Sequence, residues 1–150
     1  MRRNRLLGAG LGAILLLILI FTGCGKKGDP LPPRVLLPAA IVDLSAASLP
    51  EEVLLRWSLP DSIDGSCAFK ILRSETAAGD ACPGCPQKYL TLGTLAPADR
   101  RLGREGERGF RYIDTAVRTG HFYSYRVAVC DPAGHCGEAS NEAGLIHNSR

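Results

Sequence analysis

The sequence is poor in aromatic residues and in methionine, and it has no sustained basic run. Aromatic side chains make up 6% of the 150 residues, with one Met and one Trp. Three basic residues, Arg2, Arg3 and Arg5, lie in the first five positions, and without them basic and acidic residues balance at 15 each. Nucleic-acid affinity depends on neutralising phosphates, so this balance argues against a nucleic-acid partner. The length allows one ordinary domain, which excludes a multidomain enzyme.

The chain also lacks the motifs of common enzyme and metal sites. It has no nucleophile elbow, no phosphate-binding glycine loop and no carboxylate pair in a defined frame. Its histidines lack zinc-ligand spacing relative to Cys82 and Cys85. These histidines are His121, His135 and His147. Asp61, Asp64 and Asp131 could converge and bind calcium, but loop aspartates more often cap turns. We expect no catalytic residue, no metal and no dissociable cofactor.

The first 24 residues combine a basic start, an apolar run and a cysteine. Residues 6–23 carry no charge, and the run ends Phe21-Thr22-Gly23-Cys24. This order is typical of a secretion signal, here residues 1–23. The run is also at the short end of what spans a bilayer of about 30 Å, so a permanent transmembrane helix is the alternative.

The end of this run resembles the lipobox of bacterial lipoproteins, although Phe21 stands where that family usually has Leu. The resemblance implies cleavage before Cys24 and its modification with diacylglycerol and an N-acyl chain. Several acyl chains anchor a protein stably, because each buried methylene contributes about 0.8 kcal/mol. Gly25 and Lys26 follow the cysteine instead of Asp, which implies delivery to the outer membrane by the sorting rule of that family.

Residues 24–40 have the composition of an extended tether. They contain four prolines and fit neither a helical nor a strand period. The first ten, CGKKGDPLPP, resemble the mature start of small outer-membrane lipoproteins that assist the lipopolysaccharide translocon, with Asp29 interrupting the pattern. The resemblance implies an accessory role in translocon assembly. The alternative is a generic lipoprotein spacer.

Residues 41–146 show a period of two, with turn residues between short runs, and they form the predicted domain ahead of a tail at 147–150. In residues 53–59 one parity is wholly apolar, which predicts a strand with Trp57 facing inward. Residues 69–73 and 89–95 predict further strands. Tyr123, Tyr125, Val127 and Val129 share one face of another. This pattern predicts an all-β antiparallel sandwich without helices.

The order and spacing of these residues resemble a fibronectin type III domain. The resemblance rests on Leu55-x-Trp57, Pro60, Asp64-Gly65, Phe69-x-Ile71-x-Arg73-Ser74, Tyr112-x-Asp114-Thr115-x-Val117, Gly120, Tyr123-x-Tyr125-Arg126-Val127, Asp131-x-Ala133-Gly134 and Ser140. It implies an immunoglobulin-like sandwich in which Tyr123 is a tyrosine corner, its hydroxyl bonded back to the backbone near the preceding turn. Residues 76–87 and 96–109 depart from it as longer, more polar loops, where insertions are tolerated and often carry contacts.

Beside Cys24 the chain has five cysteines, which should mostly be oxidised outside the cytoplasm. Cys130 and Cys136 flank a five-residue turn, and a hairpin brings such strand ends within disulfide range. This pairing is the first expectation. Cys67 begins the strand expected beside the one ending at Cys130, so it could compete for either partner.

The motif Cys82-Pro83-Gly84-Cys85 fits a type II turn that allows a small disulfide loop. The alternative is a redox site. Catalytic pairs of this spacing usually open a helix whose N-terminus lowers the pKa of the thiol. Pro86 follows at once and no helical pattern succeeds it, so a structural disulfide is favoured.

These features predict a non-enzymatic, lipid-anchored envelope protein whose fibronectin type III-like module docks a protein or glycan. Sheet edges and end loops are the expected docking surfaces. Two alternatives stay open. One is an accessory of lipopolysaccharide translocon assembly acting through the tether, and the other is a periplasmic thiol-disulfide protein using Cys82 and Cys85.

Overall fold

The computed structural model describes residues 37–63, 65, 67–82 and 84–148. The signal segment, Cys24 and the tether up to residue 36 lie outside the described residues, as do Asp64 and Pro83. Among the residues that are described, no helix has the length and hydrophobicity needed to cross a membrane.

Nine strands and one short 3-10 turn occupy the described residues. The strands are β1 (Ser45–Ser48), β2 (Val53–Ser58), β3 (Ala68–Ala77), β4 (Leu90–Leu95), β5 (Leu102–Glu105), β6 (Gly109–Asp114), β7 (His121–Cys130), β8 (Cys136–Ala139) and β9 (Ala143–His147). The turn, Ala78–Asp80, follows β3 directly.

The strands form two antiparallel sheets. One has the order β1-β2-β6-β5, and the other has the order β4-β3-β7-β8, with β9 also pairing with β7. Because β8 pairs with the end of β7 and β9 with its beginning, the two short strands share one neighbour. This arrangement confirms the predicted all-β antiparallel sandwich of fibronectin type III type.

The core lies between the sheets and is built from the predicted alternating faces. Val53, Leu55 and Trp57 are buried on β2, and the four inward residues expected on β7 are 0% exposed. At the centre, the Phe69 ring lies 5.3 Å from that of Trp57 and 4.6 Å from that of Phe110, measured between centroids. One aromatic side chain from each of three strands therefore joins the sheets.

Residues 96–109, expected to be a polar loop, contain strand β5. Leu102 pairs with Tyr112 on β6 and is 7% exposed. Leu102 is the only apolar side chain in residues 99–109, so the sequence shows no alternation there. Backbone pairing with β6 and burial of Leu102 stabilise strand β5 without an alternating sequence pattern. In the other expected loop, β3 continues to Ala77 before the chain turns.

Replacing Phe110 with Ala should lower the free energy of unfolding by about 3–5 kcal/mol, because the change opens a cavity between Trp57 and Phe69. Ile113→Ala is the matched control on the same strand. Ile113 is 40% exposed, and its loss should cost about 1 kcal/mol or less. Urea unfolding followed by circular dichroism measures both, and equal losses would contradict this description of the core.

Candidate docking surfaces

A cavity of about 610 Å³ lies at the end of the second sheet where β3 begins and where β4 and β7 end. We call it the loop-end groove. Its wall residues include Lys70, Thr94, Pro97, Asp131, Pro132 and Cys136. A cavity of this size lies in the range of ligand sites in proteins, about 300–1,000 Å³.

The groove has one cationic group among small and apolar walls. None of the ion pairs formed between described residues includes Lys70. The Asp131 carboxylate, in contrast, accepts a hydrogen bond from the His135 amide at 2.8 Å and lies 3.0 Å from His135 Nδ1. These bonds hold the pKa of Asp131 below its usual value. The described residues that line the groove therefore include one cationic and one anionic side chain.

A disulfide fixes one wall of the groove. Cys130 and Cys136 are joined across the turn that carries Pro132, with their Cα atoms 3.9 Å apart. The Asp131 amide also donates to the His135 carbonyl at 2.8 Å, and Gly134 supplies the left-handed conformation of the turn with φ of 89°. The structure thus contains the disulfide first expected from the sequence.

Arg108 fixes the connection between β2 and β3 at the same end of the sandwich. Its guanidinium donates to the carbonyls of Leu59 at 2.9 Å and Ile63 at 3.3 Å, and also to that of Pro60. Asp61 pairs with the same guanidinium at 3.2 Å. Sequence reasoning missed this role, because Arg108 lies in a Gly-rich stretch whose charges are nearly balanced.

Cys67 belongs to the core instead of the disulfide beside it. It is 9% exposed and packs in the hydrophobic cluster that includes Phe69. In the strand register Ala68, not Cys67, pairs with Cys130. Neighbouring residues on a strand point to opposite faces, so Cys67 and Cys130 lie on opposite faces of the sheet.

The second predicted disulfide joins Cys82 and Cys85 in an exposed loop. The Cys85 amide donates to the Cys82 carbonyl at 3.2 Å, which closes a tight turn. Gln87 anchors the loop, since its amide donates to the Cys85 carbonyl at 3.4 Å and its oxygen accepts from Ser74 Oγ at 3.0 Å. The next element in the chain is strand β4, so these cysteines do not open a helix whose N-terminus would lower a thiol pKa.

Tyr123 forms the tyrosine-corner contact at the other end of the sandwich. Its hydroxyl accepts a hydrogen bond from the Arg118 amide at 2.7 Å, five residues upstream. Burial raises the pKa of Tyr123. The Arg118 side chain continues to Glu75 on β3, with Nε 3.0 Å from Oε1, and this hydrogen bond lowers the pKa of Glu75. The contact pins the turn before β7 to the sheet.

Asp114 lies next to this corner as a buried carboxylate with three donors. It is 3% exposed and receives hydrogen bonds from Arg73 Nη1 at 2.9 Å, the Tyr125 hydroxyl at 3.0 Å and the Ala116 amide at 3.0 Å. Burial raises the pKa of Tyr125, and the hydrogen bond with Asp114 raises that of Arg73 against the opposing effect of its own burial. These contacts give the buried charges partners.

The remaining candidate ligands do not converge among the described residues, where no group of three or more His, Cys, Asp and Glu side chains could hold a metal ion. His147 is 2% exposed, and its Nδ1 lies 2.8 Å from Ser48 Oγ. Asp61 and Asp131 bond to Arg108 and His135, as described above, and Asp64 lies outside the described residues.

Comparisons with known proteins show similarity in fold. No protein-family model matches the sequence, and no curated protein matches it significantly. Among solved structures, the twitchin kinase region of C. elegans (Fn31-NL-kin-CRD-Ig26) is similar with a TM-score of 0.52 and 14% identity over 75% of this chain. Vertebrate astrotactin-2 has a TM-score of 0.51 and 14% identity over 83%.

This chain spans 17% of the twitchin structure and 24% of the astrotactin-2 structure. The fourth fibronectin type III domain of a human protein covers 87% of this chain at 14% identity, with 92% of that domain matched and a TM-score of 0.49. Identities this low concern the fold alone. The two structures with TM-scores above 0.5 agree in fold with the sandwich of two antiparallel sheets described above.

Tyr123→Phe should lower the free energy of unfolding by about 1–3 kcal/mol, because it leaves the Arg118 amide without its acceptor. Tyr112→Phe is the control, since no described residue hydrogen-bonds to the Tyr112 hydroxyl, and it should change the free energy by less than about 0.5 kcal/mol. Thermal or urea unfolding of both variants measures the difference. Equal effects would show that the corner bond does not stabilise the domain.

Proposed function

We propose that this chain is a non-enzymatic, lipid-anchored protein of the bacterial envelope whose fibronectin type III-like module docks a protein or glycan partner in the loop-end groove. The observation that carries the proposal is the groove itself. It is a cavity of about 610 Å³ with a fixed disulfide-linked turn on one side and Lys70, which is in no ion pair among the described residues, in its wall. A partner with an acidic group on a compact apolar or sugar surface matches these walls.

The anchor is supported by the sequence alone. The basic start, the uncharged run and Phe21-Thr22-Gly23-Cys24 fit a lipoprotein signal, and residues 24–40 fit a tether. A tether of this composition can hold the module away from the lipid, at about 3.1 Å per residue where it is polyproline-like. Outer-membrane delivery follows from Gly25 and Lys26 by the sorting rule of such lipoproteins.

A thiol-disulfide activity is the less supported alternative. The Cys82–Cys85 loop is exposed, but it leads into β4 and is held by Gln87 in a fixed turn. Both features suit a structural disulfide that closes a surface loop. The accessory role at the lipopolysaccharide translocon rests on the tether motif, and identification of the captured partner tests it directly.

Cys24→Ser should abolish labelling with an alkyne fatty acid, because the acceptor thiol is lost. The control is the double variant Cys82→Ser/Cys85→Ser, which removes two other cysteines and should keep both the label and the membrane association. The label is the readout, because an uncleaved apolar segment would itself hold the Cys24→Ser variant on the membrane. Retention of label by Cys24→Ser would contradict lipid anchoring at this residue.

Pro132→Glu should reduce capture of the partner at least tenfold, because it places a longer, acidic side chain in the wall of the groove, where it repels the acidic group of the partner. Pro50→Glu is the matched control, an exposed proline in the turn before β2 at the opposite end of the sandwich. Both proteins would be cross-linked in intact cells and purified through a C-terminal tag, and bound proteins and glycans would be identified by mass spectrometry. Equal capture by both variants would rule out the groove as the dock.

A further inference from the structure

The edge at β4 is open among the described residues. β4 has β3 as a neighbour on one side and no described strand on the other. The flank at β8 differs, because the chain before β1 covers it. The Pro38 carbonyl lies so close to Gly137 that an added Cβ would meet it at 2.0 Å, and Asn141 bonds to both the amide and the carbonyl of Leu44. Among the described residues, the β4 side of this sheet is therefore the one left uncovered.

β4 lacks the residues that usually protect an edge. Its sequence, Leu-Thr-Leu-Gly-Thr-Leu, has no charge and no proline. The edge strand β5 of the other sheet carries Arg104 and Glu105, both exposed. Leu90 is 71% exposed at the start of β4. An uncharged edge with exposed apolar side chains is a template for pairing with another strand, and natural proteins normally block such edges.

The sequence of β4 is complementary to itself in the antiparallel direction. With a two-fold axis between Leu92 and Gly93, Leu90 of one copy faces Leu95 of the other, and Thr91 faces Thr94. No charged residue of β4 opposes another in this register. Thr–Thr is a favourable cross-strand pair. A symmetric interface of this kind uses the same residues from both copies.

The bulge in β4 puts these residues on matching faces. In a regular strand, residues 90 and 95 would point to opposite faces, and the two-fold register would fail. Here the register with β3 shifts between Ile71 and Leu72, which makes Leu92 an extra residue on β4. Leu90 and Leu95 consequently pair with Arg73 and Phe69, which share one face of β3.

The threonines lie on the other face. Thr91 and Thr94 pair with Leu72 and Lys70, which share the outer face of β3. Both threonines are exposed, whereas Leu95 is 1% exposed in the core. Each residue of β4 thus meets a residue on its own face in the second copy. The bulge that would ordinarily disturb an edge makes this one register consistent.

We propose that two copies of this chain associate by antiparallel pairing of β4 with β4 about the Leu92–Gly93 step. The pairing continues the five-stranded sheet of one copy into that of the other. The interface is short, so the association is weak in dilute solution and strengthens when both copies are held on one membrane. The proposal does not depend on a partner in the loop-end groove.

Disulfide cross-linking between residues that face each other in the proposed register tests the pairing of β4 with β4. A full-length Thr91→Cys variant and a full-length Thr94→Cys variant, carrying different tags, would be expressed together in cells and treated with a mild oxidant. Facing residues in a strand pair have Cβ atoms about 4.5–5.5 Å apart, within disulfide reach. Identical residues of the two copies lie three positions apart, or about 10 Å, which is out of reach. Disulfide-linked dimers carrying both tags are expected, with at least tenfold less dimer when either variant is expressed alone.

Absence of mixed dimers, with both variants in the membrane fraction, would overturn the proposal. Equal dimer yields from single and mixed expression would also overturn it, because they indicate random collision. Cross-linking of Thr91→Cys, which lies outside the loop-end groove, to a different protein instead would assign the edge to a partner strand. Adding Pro132→Glu to both chains should leave the mixed dimer unchanged, so a failed groove and a failed strand pairing are distinguishable.

A second measurement uses charge instead of cysteine. Thr91→Lys/Thr94→Lys puts lysine opposite lysine in the proposed register and should lower the dimer fraction of full-length protein in detergent at least tenfold, measured by light scattering. Ser45→Lys/Ala47→Lys places the same charges on exposed residues of β1 and should leave it unchanged. A wild-type protein that stays monomeric at the highest soluble concentration, both in detergent and in vesicles, would contradict the proposal.

Discussion

The buried carboxylate of Asp114 is the interaction on which the arrangement of the two sheets depends. Asp114 ends β6 in one sheet and receives hydrogen bonds from Arg73 on β3 and Tyr125 on β7 in the other. Its third donor, the Ala116 amide, starts the connection that leads to the tyrosine corner. Breaking a buried ion pair by removing one partner typically costs about 3–5 kcal/mol, since the remaining charge loses its compensation. This end of the sandwich is therefore closed by mutually bonded polar groups.

At the opposite end, the described residues form no equivalent hydrogen-bonded cluster across the sheets, and the connections are fixed one at a time. Arg108 holds the connection after β2, and the disulfide holds the turn between β7 and β8. Between these fixed connections the loop-end groove stays open, with Lys70 in its wall. The lateral edges divide in the same way, because Asn141 and the chain before β1 close one flank and β4 leaves the other open. The loop-end groove and the β4 edge are therefore the surfaces that the hydrogen bonds and disulfides described above leave open.

Local patterns in the sequence predicted the parts of the fold that depend on neighbouring residues. Alternation around Trp57 placed β2, and the short turn between Cys130 and Cys136 indicated their pairing. The tyrosine corner was predicted from the resemblance to fibronectin type III domains. Its hydrogen bond joins residues only five positions apart, so it is also a local feature. Strand β5 was missed because Leu102 is its only apolar side chain and its pairing with β6 decides its structure.

Features that depend on distant residues gave no local signal. Arg73 and Asp114 are 41 positions apart and meet only when the two sheets pack. The groove needs three connections to converge, which no single segment reveals. In the sequence, Lys70 has the position of an ordinary outward-facing strand residue. Its place in the wall of the groove is evident only in the folded structure. The bulge at Leu92 and Gly93 is likewise set by the register with β3, and Gly93 is its one local mark in the sequence.

A photoreactive amino acid in the loop-end groove tests the central claim, that the module docks a partner there, most directly. Placed at residue 132 in intact cells, it should form an adduct with one protein or glycan of the envelope, and the same amino acid at residue 50 should not. Such an adduct, identified by mass spectrometry, would name the partner. No adduct at residue 132, or the same set of adducts at both residues, would contradict the account.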